Sequence, residues 1–209
     1  MPAIDFARLG HATVFQEPFP LLIASGVVLP AVLEQLRTDF PPIAAGGLYP
    51  LRELHYGPAF AALVDDLLSP ETESVLSRAV GVKLGECEAL VTVRGRCRDR
   101  DGGIHNDSAD KVATLILYLN DGQWLQPGGR LRFVRDPLDI ESVIAEVPPE
   151  AGTIVAFQRT ENSWHGHLPY SGVRRSIMVN WMTSAAAVER EAARHTLSAR
   201  VKGLTSWLH

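Results

Sequence analysis

Between residues 112 and 182 the chain is a succession of short apolar runs punctuated by turn-forming residues, and this pattern restricts the fold more than any other feature. Val112 to Leu119 is closed by Asn-Asp-Gly, and Leu131 to Val134 is opened by Pro-Gly-Gly. Thr153 to Phe157 follows Ala-Gly, and Ser176 to Met182 comes after Ser-Gly. Several short strands joined by Gly- and Pro-rich turns predict an antiparallel sandwich or jelly roll. Ala89 to Val93 reads as one more strand. Arg94 to Asp101 behind it reads as a charged, turn-like segment ending in Gly102-Gly103.

The first 85 residues follow a different period. Leu21 to Val28 predicts a buried strand, because its apolar residues are consecutive. Pro30 then suits the first turn of a helix to about Asp39, which Pro41-Pro42 stops. Gly46-Gly47 and Pro50 mark a loop. A second helix is expected over Pro58 to Leu68, with Phe60, Leu63, Val64 and Leu67 on one face. A third follows Ser69-Pro70, with Ser69 as cap and Gly81 as stop. At the other end a helix is expected from about Ser184 to Lys202. Its Val188, Ala192, His195 and Ala199 fall on one side, and Gly203 ends it. The expected fold class is α+β, a single domain over residues 1–209. Residues 1–85 form a mainly helical support, 86–183 a sheet core, and 184–209 a C-terminal helix and tail.

Composition narrows the function classes. Hydrophobic residues make up 46% of the 209 and charged ones 21%, the balance of a soluble globular protein. Twenty-four acids against 20 bases leave a net charge of -4, which favours neither nucleic acid nor an anionic membrane as partner. Two cysteines, Cys87 and Cys97, do not make a disulfide framework or a CxxC zinc site, so a reducing, cytoplasmic location is expected. The apolar run from Leu21 to Pro30 starts late, lacks a basic flank and is about half the ~20 residues a membrane-spanning helix needs.

The strand region also holds a set of residues suited to metal chemistry. His105 and Asp107 are two apart, so on an extended segment both side chains point to one face. His165 follows after three expected strands, between Trp164 and Gly166, with His167 as a competitor for the same place. Two histidines and one carboxylate form the facial triad that holds non-haem Fe(II) with open positions. Arg175, Ile177, Val179 and Trp181 alternate onto one face of their strand. A buried arginine there is costly without a partner, and a bound carboxylate suits its planar fork. Arg174 is its alternative. Arg94, Arg96, Arg98 and Arg100, offset by Asp99 and Asp101, read as a solvated charge run. Trp164 and Tyr170 either line an entrance or pack; His11, His55 and His195 read as structural or exposed.

From about Val91 to Trp181 the chain resembles the Fe(II)- and 2-oxoglutarate-dependent dioxygenases of the prolyl-hydroxylase branch. The resemblance rests on His105-Asn106-Asp107, Tyr118-Leu119-Asn120, Gly128-Gly129-Arg130-Leu131, His165, Arg175 and Trp181, in that order. It implies a double-stranded β-helix with iron on His105, Asp107 and His165. It further implies Arg175 on the distal carboxylate of 2-oxoglutarate, with Tyr118 hydrogen-bonding the same group. O2 is the remaining co-substrate, and the implied reaction is hydroxylation with release of succinate and CO2. The prime substrate, a small molecule or a protein side chain, is expected to be read by residues 40–60, 94–104 and 121–128. An inactive jelly roll that only binds a ligand is the alternative reading.

Overall fold

The computed structural model describes residues 2–205, with side chains to residue 197. Helix ends in the first part follow their caps. After a short α1 (Phe6–Gly10), α2 (Pro30–Asp39) and α3 (Pro58–Leu67) each begin at a proline, whose fixed φ suits the first turn. In α4 (Pro70–Val80) the Ser69 side chain accepts a hydrogen bond from the Thr72 amide, and Gly81 ends the helix at φ 73°. Phe60, Leu63, Val64 and Leu67 of α3 are all buried. Each such side chain contributes roughly 1.5–3 kcal/mol on leaving water.

Two antiparallel sheets face one another. The larger has seven strands: β1 (Thr13–Phe15), β2 (Leu21–Ala24), β3 (Tyr49–Pro50), β4 (Glu88–Cys97), β5 (Lys111–Tyr118), β8 (Ile154–Gln158) and β10 (Gly172–Met182). Their spatial order is β1-β2-β8-β5-β10-β4-β3. The smaller sheet sets β6 (Leu131–Val134) between β7 (Val143–Val147) and β9 (His165–Gly166). This is the expected jelly-roll core, though its sheets do not close into a barrel.

The pleat divides the larger sheet's side chains between two cores. Ala113, Leu115, Leu117, Ile177, Val179 and Trp181 pack under α3 and α4. On the opposite face Ile116, Tyr118, Val155 and Phe157 meet Leu131, Phe133 and Val147 of the smaller sheet. The last helix, α5 (Ala185–Thr205), folds back over this second face, where Ala187 and Ala192 pack on Leu90 and Met182. The cavity-bearing side thus has two covers, the smaller sheet and α5.

Several expectations shift. The strand from Leu21 ends at Ala24, because Gly26 turns the chain at φ 66°. Strand β4 continues through Arg94 to Cys97, since β10 supplies partners for that backbone at Val173 and Gly172. The charged segment read as a turn is therefore in large part strand. Four strands rather than three separate the histidines, the addition being β7, whose residues are mostly half-exposed. β1, β2 and β3 also enter the larger sheet from the first 85 residues. α5 runs on past Gly203 to Thr205, and the Ala199 side chain lies outside the described residues.

Candidate metal centre and its cavity

Backbone pairing creates the site. His105 and His165 form an antiparallel bridge, with His105 N–H donating to the His165 carbonyl at 2.9 Å and His165 N–H to the His105 carbonyl at 3.0 Å. Directly opposed residues send their side chains to the same face, and the ring centroids lie 4.4 Å apart. Asp107, two residues on, joins them, and ligating atoms of all three lie within 4.8 Å of one another.

The side chains are oriented for ligation. His105 Nδ1 bonds the Gly103 carbonyl and His165 Nδ1 the Ser163 carbonyl, both at 2.9 Å. Donation from Nδ1–H leaves Nε2 of each ring with its lone pair free for a metal. Burial, with the charge on His105, pushes His165 down to about 4 against the pull of Asp107, so its ring is neutral at pH 7. Burial raises the Asp107 carboxyl, but Lys111 and His165 outweigh it and hold the group at about 2. Asp107 accepts from Lys111 Nζ at 2.7 Å and from Thr114 Oγ1 at 2.7 Å. Two imidazoles, of which the His165 ring is neutral, and one ionised carboxylate fit a divalent first-row ion with positions left open.

His167 is near this cluster and outside it. Its ring Nδ1 bonds the Leu168 carbonyl at 2.8 Å, and Nε2 lies 3.7 Å from Cys97 Sγ. Burial, and then the charge on Arg174, lower it to about 4.

A cavity of about 630 Å3 opens from the triad. Of the arginine pair, Arg174 enters it and Arg175 does not. The reason is the two-sided sheet: Ser176 and Met178 line the cavity with Arg174, whereas Ile177, Val179 and Trp181 face the helices. An irregularity in the β10–β4 register between Val173 and Ser176 lies beside the pair. The alternation read from sequence holds, but its face is the helix-covered one, and Arg175 sits there with its guanidinium 5.3 Å from the Phe40 ring centroid. The expectation that Arg175 reaches the cavity is corrected to Arg174. Arg174 is 5% exposed; it donates to the Gly129 carbonyl at 2.8 Å and to the Tyr118 hydroxyl at 3.2 Å. Among the described residues no carboxylate pairs with it.

The rim differs from the one expected. Leu48, Arg94 and Gly102 come from expected segments, but residues 121–128 contribute nothing to the lining. The wall that sequence reading missed is α5, through Arg190, Glu191, Arg194 and His195. Glu191 and His195 are buried and 3.2 Å apart, so His195 is neither exposed nor remote from the site. Arg94 is half-buried and held by Asp101 at 3.3 Å. Trp164 and Tyr170 do not line the cavity; Tyr170 packs on Trp124 with centroids 4.8 Å apart.

Comparison with known proteins agrees with this geometry. Residues 96–183 match the family model of the 2OG-Fe(II) oxygenase superfamily. A prolyl-4-hydroxylase of Pseudomonas putida is structurally similar, with TM-score 0.57 at 16% identity over 87% of this chain and 93% of that one. A prolyl 4-hydroxylase structure from Phytophthora capsici aligns with TM-score 0.53 at 18% identity over 85% and 65% of the two chains. HygX of Streptomyces hygroscopicus, solved with nickel and 2-oxoglutarate bound, aligns with TM-score 0.53 at 16% identity over 87% and 88%. No curated protein sequence matches the chain. The matched residues 96–183 span the paired histidines, the carboxylate and the cavity arginine, so the likeness to the 2OG-Fe(II) oxygenase superfamily falls on the part of the chain that builds this cluster.

Proposed function

We propose that this chain is a 2OG-Fe(II) oxygenase that hydroxylates a substrate other than 2-oxoglutarate, with Fe(II) held by His105, Asp107 and His165. The observation that carries the reading is a buried arginine without an acid partner, Arg174, in the same cavity as an N2O ligand cluster. In this reading Arg174 receives the distal carboxylate of 2-oxoglutarate as a bidentate partner, and Tyr118 adds a hydrogen bond to the same group. When bound, Fe(II) and 2-oxoglutarate would supply O2 activation, with one oxygen atom going to a substrate C–H bond, the other to succinate, and CO2 leaving.

The chain's own residues bind, orient and exclude water. The Gly103 and Ser163 carbonyls fix the two imidazoles, and Thr114 fixes the carboxylate. The Phe157 and Phe133 rings lie 4.8 and 5.8 Å from the His165 ring and shield it from solvent. The prime substrate is a small molecule or a protein side chain, taken from solution and not from nucleic acid. Among the described residues no helix is long and apolar enough to cross a membrane. Free Cys87 and Cys97 suit a reducing cytoplasm.

Anaerobic addition of Fe(II) and 2-oxoglutarate tests the reading. A weak visible charge-transfer band is expected only when both bind at one centre, followed in air by succinate release. Absence of both overturns it in favour of an inactive ligand-binding jelly roll.

A further inference from the structure

Lys111 stands where the triad meets α5. It opens β5, whose far end carries Tyr118, roughly 23 Å away along the strand. Its ammonium is buried, with 8% of the side chain exposed, and its bond to Asp107 is its one hydrogen bond among the described residues. The other charges on this side of the cavity are already matched: Arg190 pairs with Asp110 at 2.8 Å, and Arg194 and His195 hold Glu191. Lys111, Arg190 and Arg194 thus balance Asp107, Asp110 and Glu191, so this lobe is neutral while Lys111 keeps Asp107.

Loading the site upsets that balance. A divalent cation on Asp107 competes with Lys111 for the same carboxylate and adds two positive charges. The dianionic co-substrate supplies two negative charges, and Arg174 contributes one positive. One positive charge then remains in excess on the buried Lys111 ammonium, whose other anionic neighbour, Glu191, is already held by Arg194 and His195. Such a charge is costly in a low-dielectric site unless an anion meets it.

We propose that Lys111 is a specificity residue for the prime substrate, whose carboxylate it binds once the metal has taken Asp107. The inference rests on the triad reading given above. A surplus of one charge favours a carboxylate over a doubly ionised phosphate. It makes the substrate a small acid docked between the triad and α5. It also orders events, because the anion has no site until metal is present.

Acetate is the probe, and Mn(II) with 2-oxoglutarate under anaerobic conditions is the loaded state. Mn(II) affinity is read by electron paramagnetic resonance, and acetate binding by calorimetry and by the paramagnetic relaxation of 13C-acetate. Wild-type protein is expected to bind acetate only with Mn(II) present, and neither acetamide nor inorganic phosphate should compete at equal concentration. Lys111→Met and Lys111→Gln are expected to lose acetate affinity at least tenfold while binding Mn(II) as tightly as wild type or more so. Lys111→Arg should retain acetate. Acetate binding to metal-free wild type, undiminished binding in a neutral variant that still takes Mn(II), no acetate binding to loaded wild type, or displacement by phosphate each overturns the proposal. Failure of wild type to bind Mn(II) instead removes the triad reading, and this inference with it.

Discussion

Replacing Arg174 and Arg175 one at a time separates two adjacent residues that differ in the face they occupy. Arg174 is buried in the cavity without an acid partner, and Arg175 lies over Phe40 under α2. If Arg174 pairs with the distal carboxylate, Arg174→Met leaves that carboxylate desolvated and unpaired. Breaking a buried ion pair from one side costs about 3–5 kcal/mol. At about 1.4 kcal/mol per tenfold, 2-oxoglutarate affinity should fall between roughly a hundredfold and a few thousandfold. Arg175→Met removes a cation–π contact of about 0.5–1 kcal/mol. It should lower the melting temperature slightly and leave 2-oxoglutarate affinity within about twofold. Anaerobic calorimetry of 2-oxoglutarate into the Mn(II)-loaded proteins reads both. Circular dichroism guards against misfolding, since Arg174 also holds the Gly129 carbonyl. Loss of binding in the Arg175 variant with retention in the Arg174 variant would refute the argument from the two faces of β10.

The other expectations concern the triad, its surroundings and pH. His105→Ala, Asp107→Ala and His165→Ala should each abolish Mn(II) binding, whereas His167→Ala should leave it within a few-fold; the opposite result for the last pair moves the distal ligand to His167. Asp101 is held at about 2, against its usual 3.8, by hydrogen bonds and charge from Arg98 and Arg94 that overcome its burial. A depressed carboxyl stabilises the fold above its unfolded value and loses that contribution as pH falls through its folded one. Asp101→Asn should therefore cost about 2 kcal/mol in urea unfolding at pH 7, and the gap to wild type should close between pH 4 and 2. A gap constant over that interval refutes the assignment. Gly102 has φ +90°, and an added Cβ would lie 2.2 Å from the His167 ring. Gly102→Ala should displace that ring or the loop and weaken Mn(II) binding at least tenfold; unchanged affinity would show that the loop yields independently of the ligands.

The parts of the site legible in sequence are those fixed by local chemistry. An HxD pair on extended backbone, a histidine beside glycine and the turn residues around each strand are short-range signals. The reading of Arg175 failed because alternation tells which residues share a face, while only the assembled sheets tell which face borders the cavity. Strand β4 was read too short because Arg94 and Arg96 resemble a solvated run until β10 lies beside them. β7 escaped because most of its residues are half-exposed and no strong apolar alternation marks it. α5 was seen as a helix but not as a wall: Glu191 and His195, an i,i+4 pair on an otherwise charged helix, are the signal that its polar side is partly buried.

The pairing of residues 102–105 with 165–167 extends beyond the two candidate ligand histidines. His167 N–H donates to the Gly102 carbonyl at 2.7 Å, and a Cβ on Gly166 would lie 2.8 Å from that same oxygen. The lip of the cavity and its floor are therefore stitched together by main chain. The amides of His105, His165 and His167 should exchange with solvent as one unit rather than separately. In the proposed reading, a molecule that settles on the lip would pull on the seam that carries two of the three candidate ligands, so recognition at the mouth and the poise of the metal would be mechanically coupled.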